Sequence, residues 1–510
     1  MRAEDHDQGM DPSTGQPVGA PVGHTPIEEV DRLCRAAATA APALAAFSPP
    51  DRAALLRALG AALEAHRDEV VALADRETGL GAARLAGELT RCVVQFELFA
   101  AALEEGSILE AVLDPADPSA RPAPRPDLRR MLLPLGPVAV FAASNFPLAF
   151  SVPGGDTASA LAAGCPVIVK AHPGHPALSV LCARIVADAL AAAGAPAGSF
   201  ALVHGVEAGR ALVVHPAVTA VGFTGSVAGG RALFDLAAGR PDPIPFYGEL
   251  GSLNPVVVTA GALARRAEAV VAGFVGSFTL GAGQFCTKPG LLLLPAGHGL
   301  TGALADAAGA VAVGPLLNAR IRDAYLAETE ALAALPGVRT ISPGPAPDGA
   351  GYRVAPRLFA VGAADLVARA DRLLEECFGP AALVVEYADR AELDKVFAAL
   401  PGGLTATVHA ELPAEAELAR HLVAHCVARS GRVIWDGWPT GVAVTWAMQH
   451  GGPWPATTGS VHTSVGVTAV RRFQRPVAYQ NLPQELLPPE LRDGNPLGIV
   501  RRVDGVLGLA

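Results

Sequence analysis

The chain has 510 residues, enough for about three domains of ordinary size, so a single small binding module is excluded. Its 39 Lys and Arg residues against 49 Asp and Glu residues give a formal net charge of −10, so no global positive field attracts nucleic acid or acidic lipid. Hydrophobic residues make up 51% of the chain and charged residues 17%, which favours a large buried core over extended disorder.

The start of the chain lacks the pattern of a secretory signal. Residues 1–24 contain Asp, Glu, Gly and Pro where a signal has a basic head and an apolar run, so we predict a disordered tail there. The uncharged residues 131–155 are interrupted by four prolines, which favours a buried strand and loop over a membrane span. The seven scattered cysteines include no CxxC pair, unlike a disulfide framework or a zinc cluster. A cytoplasmic protein without nucleic-acid or membrane partners and without a resident metal is expected.

The residue pattern changes after position 111, from a helical periodicity to alternating strand and helix patterns. Residues 26–111 repeat Ala, Leu, Glu and Arg at spacings of three and four, which predicts a layer of helices. Short Val, Ile and Phe runs then alternate with Ala-rich stretches that would each hold one helix, which predicts a parallel sheet covered on both faces. Its predicted strands are 138–142, 167–170, 200–203, 220–223 and 256–258. Sheets of this kind bind ligands at the carboxyl ends of their strands.

A second alternating series predicts a second α/β domain. Its predicted strands are 291–294, 381–387, 404–409 and 433–435. The Gly and Pro cluster at 343–351 predicts a surface loop.

Cys286 follows an apolar stretch, residues 262–280, that predicts a helix, and it lies among glycines in the sequence GAGQFCTKPG. A free cysteine is commonly a buried, inert thiol, and that alternative stays open for the residue alone. Gly281 and Gly283 favour a reactive thiol, because glycines let backbone N–H groups approach a ligand and form an oxyanion site.

Two further polar residues stand in apolar surroundings. Glu249 ends an apolar run in FYGELGSLNP, where it is either a solvated turn residue or, beside a cysteine, a base whose pKa burial raises. Asn145 is the lone amide of FAASNFPLAF and either caps a turn or donates to a ligand oxygen, since an unpaired buried amide is costly.

A glycine-rich stretch offers a site for phosphate. FTGSVAGG places Gly225 and Gly230 between a predicted strand and a predicted helix, 231–238, and helix N-termini suit phosphate. It lacks the Lys-Ser/Thr pair of a P-loop, which disfavours nucleotide triphosphate chemistry. Lys170 ends a predicted strand where a ligand would bind, with an ordinary surface lysine as the alternative.

The motifs FAASNFPLAF, VIVKAHPGHP, FTGS, ELGSLNP, GQFC and EECFGP, in this order, resemble the aldehyde dehydrogenase superfamily over nearly the whole chain beyond residue 25. The resemblance implies an α/β fold with two Rossmann-like parallel-sheet domains and a small oligomerisation hairpin, assembled as a homodimer or homotetramer. The implied parts are a dinucleotide-binding domain (25–124 and 136–250), a catalytic domain (251–455) and an oligomerisation segment (125–135 with 456–510).

The resemblance also implies the roles of the singled-out residues. Cys286 attacks the aldehyde as a thiolate, Asn145 and the Cys286 backbone N–H hold the oxyanion, and Glu249 activates the water that hydrolyses the thioester. Lys170 and Ser226 match positions that contact the cofactor ribose and diphosphate, with Gly225 and Gly230 beside them. Glu376 and Phe378 match positions that orient the nicotinamide ribose and ring.

One departure from the family concerns the cofactor. Many NAD-preferring relatives have a glutamate three residues after the lysine, where it binds the 2′-hydroxyl and repels a 2′-phosphate; this chain has Pro173. With Lys170, His172 and Arg210 expected nearby, the implied cofactor is NADP, with NAD also possible.

The longer sequence around Asn145, together with the motifs GWPTG and HGGPWPAT, looks most like family members that oxidise α-ketoglutarate semialdehyde (2,5-dioxopentanoate) to 2-oxoglutarate with NADP. Alternatives are a broader aliphatic or aromatic aldehyde dehydrogenase and a catalytically silent structural homologue. The distal carboxylate of a semialdehyde needs a cationic or amide clamp, for which Lys288 or an arginine that the sequence does not place is the candidate. His421 and His425 have metal-like spacing, but without a third ligand in the pattern we interpret them as structural or surface residues.

Overall fold

The computed structural model describes residues 5–344 and 349–509. The helices are α1 (Ile27–Ala45), α2 (Pro49–Ala65), α3 (Arg67–Thr78), α4 (Ala82–Glu105), α5 (Gly155–Ala163), α6 (Pro176–Ala192), α7 (Val206–Val214), α8 (Val227–Ala238), α9 (Ala260–Thr279), α10 (Thr301–Gly309), α11 (Ala319–Ala333), α12 (Ala363–Ala368), α13 (Ala370–Leu373), α14 (Arg390–Ala399) and α15 (Ala416–Arg429). The strands are β1 (His6–Met10), β2 (Pro17–Gly23), β3 (Val112–Asp114), β4 (Leu128–Pro134), β5 (Val138–Phe141), β6 (Val167–Lys170), β7 (Phe200–Val203), β8 (Ala220–Thr224), β9 (Phe246–Glu249), β10 (Val256–Val258), β11 (Leu291–Pro295), β12 (Gly314–Pro315), β13 (Arg339–Ser342), β14 (Arg353–Val354), β15 (Arg357–Gly362), β16 (Ala381–Tyr387), β17 (Gly403–His409), β18 (Ser430–Trp435), β19 (Gln474–Gln480), β20 (Arg501–Val503) and β21 (Val506–Gly508).

The N-terminal segment is ordered in the described residues, so the prediction of a disordered tail is wrong for 6–23. β1 and β2 pair as an antiparallel hairpin. The hairpin packs on the body of the protein through Asp7, whose carboxylate contacts His24 Nε2 at 3.1 Å and His204 Nδ1 at 3.5 Å. These long-range contacts order a polar segment that has no strong strand pattern of its own. Residues 1–4 lie outside the described part of the chain.

The predicted helical layer is confirmed by α1 to α4. Helix α2 begins with a capping box in which the Ser48 hydroxyl accepts from Asp51 N while the Asp51 carboxylate accepts from Ser48 N. Its buried Arg52 donates to the carbonyls of Ala162 and Ala163, which end α5. Because a buried guanidinium needs such partners, this pair of hydrogen bonds fixes α2 against α5.

The first sheet is parallel and has the order β7-β6-β5-β8-β9. Four of its strands match the prediction. The fifth is β9, which carries Glu249 at its carboxyl end, and the predicted strand 256–258 lies instead in the second sheet as β10. The carboxyl ends of β6, β5 and β8 lie side by side, which brings Lys170 and the start of α8 to one edge.

The second sheet has seven strands in the order β13-β15-β16-β11-β10-β17-β18, all parallel except β13. Its central strands β10 and β11 are apolar runs that are buried except at Pro295, as expected for a sheet covered on both faces. The sequence did not predict β13 and β15. Between them, part of the predicted loop 343–351 (residues 345–348) lies outside the described residues.

A third sheet has the order β19-β4-β3-β20-β21. It joins residues 128–134 to 474–480 by antiparallel pairing, so the two pieces assigned to the oligomerisation segment are neighbours in space. Among residues 5–344 and 349–509, none of the helices combines the length and the apolar character that a membrane span requires. The predicted α/β fold class is confirmed.

Candidate active site

Cys286 lies in a turn after α9 and its short 3-10 extension, Leu280–Gly283. It is partly exposed, whereas the other six cysteines, all in the described residues, are buried. Burial raises the pKa of each of those six thiols. Cys286 is therefore the one thiol of the chain that a substrate can reach.

The turn that carries Cys286 is held by a side-chain amide from the loop between β9 and β10. Asn254, fully buried between β9 and β10, donates to the Cys286 carbonyl at 2.8 Å and to the Lys288 carbonyl at 2.9 Å. Its Oδ1 accepts from the Ser252 hydroxyl and from Thr405. Asn254 belongs to the motif ELGSLNP, but its position in the sequence did not indicate this anchoring role.

Asn145 lies beside the same turn, as its predicted role requires. Its Nδ2 donates to the Gln284 carbonyl at 3.0 Å, and its own carbonyl accepts from Arg84 at 2.7 Å. An amide nitrogen carries two hydrogens, so the second one can be directed at an oxyanion on Cys286.

Glu249 ends β9, where it is 3% exposed. Its Oε2 accepts from the Ser464 hydroxyl, and its Oε1 lies 2.5 Å from Nδ1 of His450. The opposite ring nitrogen, Nε2, lies 3.4 Å from Cys286 Sγ. Ligand atoms of Glu249, Cys286 and His450 all lie within 4.8 Å of one another. The structure thus brings Cys286 and Glu249 together, with an imidazole between them.

The sequence did not single out His450 as a functional residue. It lies in HGGPWPAT, which contributed only to the resemblance. Burial opposes a charged imidazole, but the neighbouring Glu249 and Cys286 raise the pKa of His450 to about 10. A histidine in a segment with no helical or strand pattern was the available signal, and it is a weak one.

The predicted phosphate site lies at the edge of the first sheet. Ser226 caps α8 by accepting from Gly229 N at 3.3 Å, and the exposed Gly225 precedes it. Gly230 packs so closely on Leu250 that a Cβ would lie 2.2 Å from Leu250 Cδ2. The exposed start of α8 lies at the same sheet edge as Lys170, and a helix N-terminus of this kind suits a cofactor diphosphate.

The two other residues predicted near the adenosine ribose differ in character. Burial, then the nearby His175 and Lys170, lower the pKa of His172, which accepts from Gly174 N on Nδ1. His172 is therefore a neutral group, and it adds no positive charge near the predicted cofactor ribose. Arg210 is exposed on α7, with Glu207 at 3.9 Å. Pro173, which follows His172 in the chain, is exposed.

Glu376 and Phe378 lie in the loop before β16, against the Cys286 turn. A Cβ on Gly283 would lie 2.3 Å from the carbonyl of Gly379, so only glycine permits this approach. Glu376 Oε2 accepts from Ser252 N at 3.1 Å. Burial raises the pKa of Glu376 to about 7, although Lys288 opposes the rise.

Lys288 does not fit the role of substrate clamp. It is buried, and its ammonium donates to the carbonyls of Cys377 at 2.7 Å and Ala381 at 2.9 Å. Both bonds stabilise the loop that carries Glu376 and Phe378.

His421 and His425 do have a third neighbour, which the sequence did not show. Asp394 Oδ1 lies 2.5 Å from His421 Nε2 and 3.2 Å from His425 Nε2. One carboxylate oxygen therefore partners both imidazoles, and His421 Nδ1 is paired with Arg390 at 3.0 Å. These contacts account for the cluster as a hydrogen-bonded surface group.

Comparison with known proteins places this arrangement in a family. Among curated proteins, the α-ketoglutaric semialdehyde dehydrogenase 2 of Azospirillum brasilense is 48% identical, covering 97% of this chain and 95% of that protein. The α-ketoglutaric semialdehyde dehydrogenase of Acinetobacter baylyi is 43% identical, covering 96% and 94%.

Solved structures agree on the fold. PnpE from Pseudomonas sp. WBC-3 has a TM-score of 0.79 at 24% identity, covering 96% of each chain. The 1-pyrroline-5-carboxylate dehydrogenase from Thermus with bound NAD has a TM-score of 0.77 at 24% identity, covering 94% of this chain and 90% of the other. The model of the aldehyde dehydrogenase family matches residues 3–470. The chain therefore belongs to the aldehyde dehydrogenase family.

Proposed function

We propose that this protein oxidises α-ketoglutarate semialdehyde (2,5-dioxopentanoate) to 2-oxoglutarate with NADP. Two relatives named for this semialdehyde match nearly the whole chain at 48% and 43% identity. The observation that carries the chemistry is the partly exposed Cys286 thiol, with Asn145 on one side and Glu249 and His450 on the other.

The residues act in a fixed order. Cys286 Sγ attacks the aldehyde carbon, while the Asn145 amide and the Cys286 backbone N–H donate to the oxyanion of the thiohemiacetal. A bound nicotinamide cofactor supplies the hydride acceptor. Glu249 then helps remove a proton from the water that hydrolyses the thioester, and Cys286 leaves as a thiolate.

Arg84 is our candidate for the clamp on the distal carboxylate. Its guanidinium lies over the rings of Phe285 and Phe146, at 4.7 and 5.1 Å from their centroids, next to the reactive thiol. Nη2 donates to Asn145 O, whereas Nη1 is buried and has no hydrogen-bond partner among the described residues. A buried unpaired donor is costly, and a substrate carboxylate would remove that cost.

The cofactor preference rests on Lys170 and Pro173. Lys170 ends β6, and Pro173 stands where a glutamate would repel a 2′-phosphate. The carboxylate of Asp7 is in electrostatic range of Lys170, but it is paired with His24 and His204. Lys170, with Arg210 on the neighbouring helix, thus supplies the positive charge for a 2′-phosphate.

The proposed assembly is a homodimer or homotetramer that uses the third sheet. β19 is an edge strand of that sheet and most of its residues are exposed, and an open strand edge offers pairing to a second chain. Sedimentation velocity would give a mass of two or four chains; a monomer at all concentrations would contradict this part of the proposal.

The substrate is tested with a panel of aldehydes, each assayed with NAD and with NADP. We expect the highest kcat/KM for 2,5-dioxopentanoate with NADP, and no activity in Cys286→Ala. Cys426→Ala, at a buried cysteine in α15, is the matched control and keeps its activity. A higher kcat/KM for aliphatic or aromatic aldehydes would favour the broader enzyme, and no oxidation of any aldehyde would favour a silent homologue.

A further inference from the structure

The ring of His450 stands between the two side chains that carry the proposed chemistry. It uses opposite nitrogens for them, with Nε2 3.4 Å from Cys286 Sγ and Nδ1 2.5 Å from Glu249 Oε1. The backbone of His450 is fixed because its N–H donates to the Thr463 hydroxyl at 2.8 Å, and the side chain is buried. The ring therefore lies within reach of the thiol for proton exchange, and a carboxylate oxygen lies 2.5 Å from its other nitrogen.

The same trio could be considered a metal site, since it combines a thiol, an imidazole and a carboxylate. The orientation of the ring argues against this. An ion bound at Nε2 would lie on the Cys286 side of the ring, away from the carboxylate that faces Nδ1. One ion could not contact both neighbours through this imidazole, and a site needs at least three protein ligands.

We propose that His450 is the base that deprotonates Cys286, with Glu249 stabilising the imidazolium that results. This inference rests on the proposed function, because it concerns the same thiol. The S–H bond breaks, its electron pair stays on sulfur, and the proton binds Nε2. The Ser464 hydroxyl donates to the second oxygen of Glu249, which keeps the carboxylate oriented toward the ring.

The protons released and taken up balance over one catalytic turnover. Conversion of the thiolate to a neutral thioester removes one of the two negative neighbours of His450, so the imidazolium can release its proton to solvent. Glu249 then takes a proton from the attacking water and passes it to the neutral ring 2.5 Å away, and the thiolate leaves as the carboxylic acid forms. The acid loses the second proton to solvent, and the thiolate and imidazolium pair is restored.

The pH dependence of thiol alkylation tests this without any substrate. Iodoacetamide reacts with the thiolate, and the other six cysteines are buried, so labelling followed by mass spectrometry reports Cys286, with Cys286→Ser as the blank. We expect the wild-type rate to change less than about threefold between about pH 6.5 and about pH 8.5. In His450→Gln it should rise about tenfold per pH unit, as for an ordinary thiol of pKa about 8.5, and be about 100-fold lower near pH 6.5.

His462→Gln is the matched control. This histidine lies in the same segment, and its ring packs on Tyr247 with 4.8 Å between the ring centroids. We therefore expect its replacement to leave the reactivity of the Cys286 thiol unchanged. Its alkylation profile should match the wild type. Glu249→Gln should give a profile between those of the wild type and His450→Gln, because the imidazolium loses its carboxylate but keeps the thiolate.

Two results would overturn the proposal. One is a wild-type profile that rises about tenfold per pH unit below about pH 8.5, a measurement that needs no variant and so stands even if His450→Gln fails to fold. The other is a folded His450→Gln, or His450→Asn, that alkylates as the wild type does. Aldehyde oxidation by the wild type is assayed separately, so failure of the proposed function and failure of this proposal are distinguishable.

Discussion

Asn254 donates from Nδ2 to the backbone carbonyl of Cys286 at 2.8 Å. It does so from a backbone φ of 49°, a left-handed conformation that Asn tolerates better than most residues. The reactive turn is therefore tied to the end of the first sheet by a side chain that never reaches the substrate.

Replacing the Asn254 amide tests whether it holds the Cys286 turn in position. Asn254→Asp substitutes an acceptor for the donor, so the carbonyls of Cys286 and Lys288 lose their partner and face a carboxylate. We expect a loss of stability of about 1–3 kcal/mol and a lower kcat, measured by denaturant unfolding and steady-state kinetics. Asn481→Asp is the control: Asn481 also has a positive φ but is exposed, and its Oδ1 only accepts from Asp127 N. Equal effects of the two variants would contradict the anchoring role.

Glu249→Gln should separate acylation from hydrolysis. The amide cannot take up a proton, so the first turnover should form reduced cofactor while thioester hydrolysis slows by about 10² to 10⁴. Stopped-flow measurement should show a burst close to one equivalent, with an acyl adduct on Cys286 by mass spectrometry. Glu207→Gln, at an exposed position on α7, is the control. A variant that turns over as the wild type does, with no adduct, would refute this role.

Arg84→Met tests the clamp on the distal carboxylate. Loss of a charged hydrogen bond in a buried site should lower kcat/KM for 2,5-dioxopentanoate by about 10- to 100-fold. Pentanal, which has no distal carboxylate, should change much less. Arg91→Met is the matched control, because Arg91 stacks on Phe146 and Phe150 in the same cluster. If Arg91→Met has the larger effect on the semialdehyde, the clamp is misassigned.

The pKa of Glu376, raised to about 7 by burial, predicts a pH dependence of cofactor binding. A protonated carboxyl is a poorer acceptor for ribose hydroxyls, so KM for the cofactor should rise as the pH falls through about 7 and level off above it. Glu376→Gln should have a high KM that does not vary with pH in this range. The exposed neighbour gives the control, Glu375→Gln, which should follow the wild-type profile. A flat wild-type profile would count against the assignment.

Pro173→Glu should convert the cofactor preference. A carboxylate three residues after Lys170 would accept from a 2′-hydroxyl and repel a 2′-phosphate. We expect the ratio of kcat/KM for NADP over NAD to fall at least about tenfold. Pro173→Gln, neutral and of similar size, separates charge from backbone effects and should change the ratio much less. If both variants shift the ratio equally, charge is not the cause.

The sequence predicted the strands of both sheets where an apolar run stands between helical stretches, as for β6 and β11. It predicted Cys286 and Glu249 because each polar group lies in an apolar or glycine-rich setting. It could not place His450, since the contact with Cys286 spans 164 residues and the segment around the histidine has no periodic pattern. Local composition reports a residue's neighbours in the chain, not its neighbours in space.

The N-terminal hairpin was missed for a related reason. The residues of β1 are mostly polar, and their order depends on partners elsewhere in the chain. Glu77, buried in α3, packs against Gly9 and accepts from Ala177 N and Leu178 N at the start of α6. Such a contact is specified by tertiary packing, which strand propensity does not register.

The contacts of the segment 450–464 bear on how the enzyme matures during synthesis. It supplies both groups that contact Glu249, and Ala456 O accepts from Leu250 N. A ribosome-bound chain that stops short of this segment has both nucleophile and carboxylate but lacks the imidazole that links them. If His450 activates the thiol, Cys286 stays poorly reactive until synthesis of the chain is nearly finished, which protects the incompletely folded polypeptide from electrophiles.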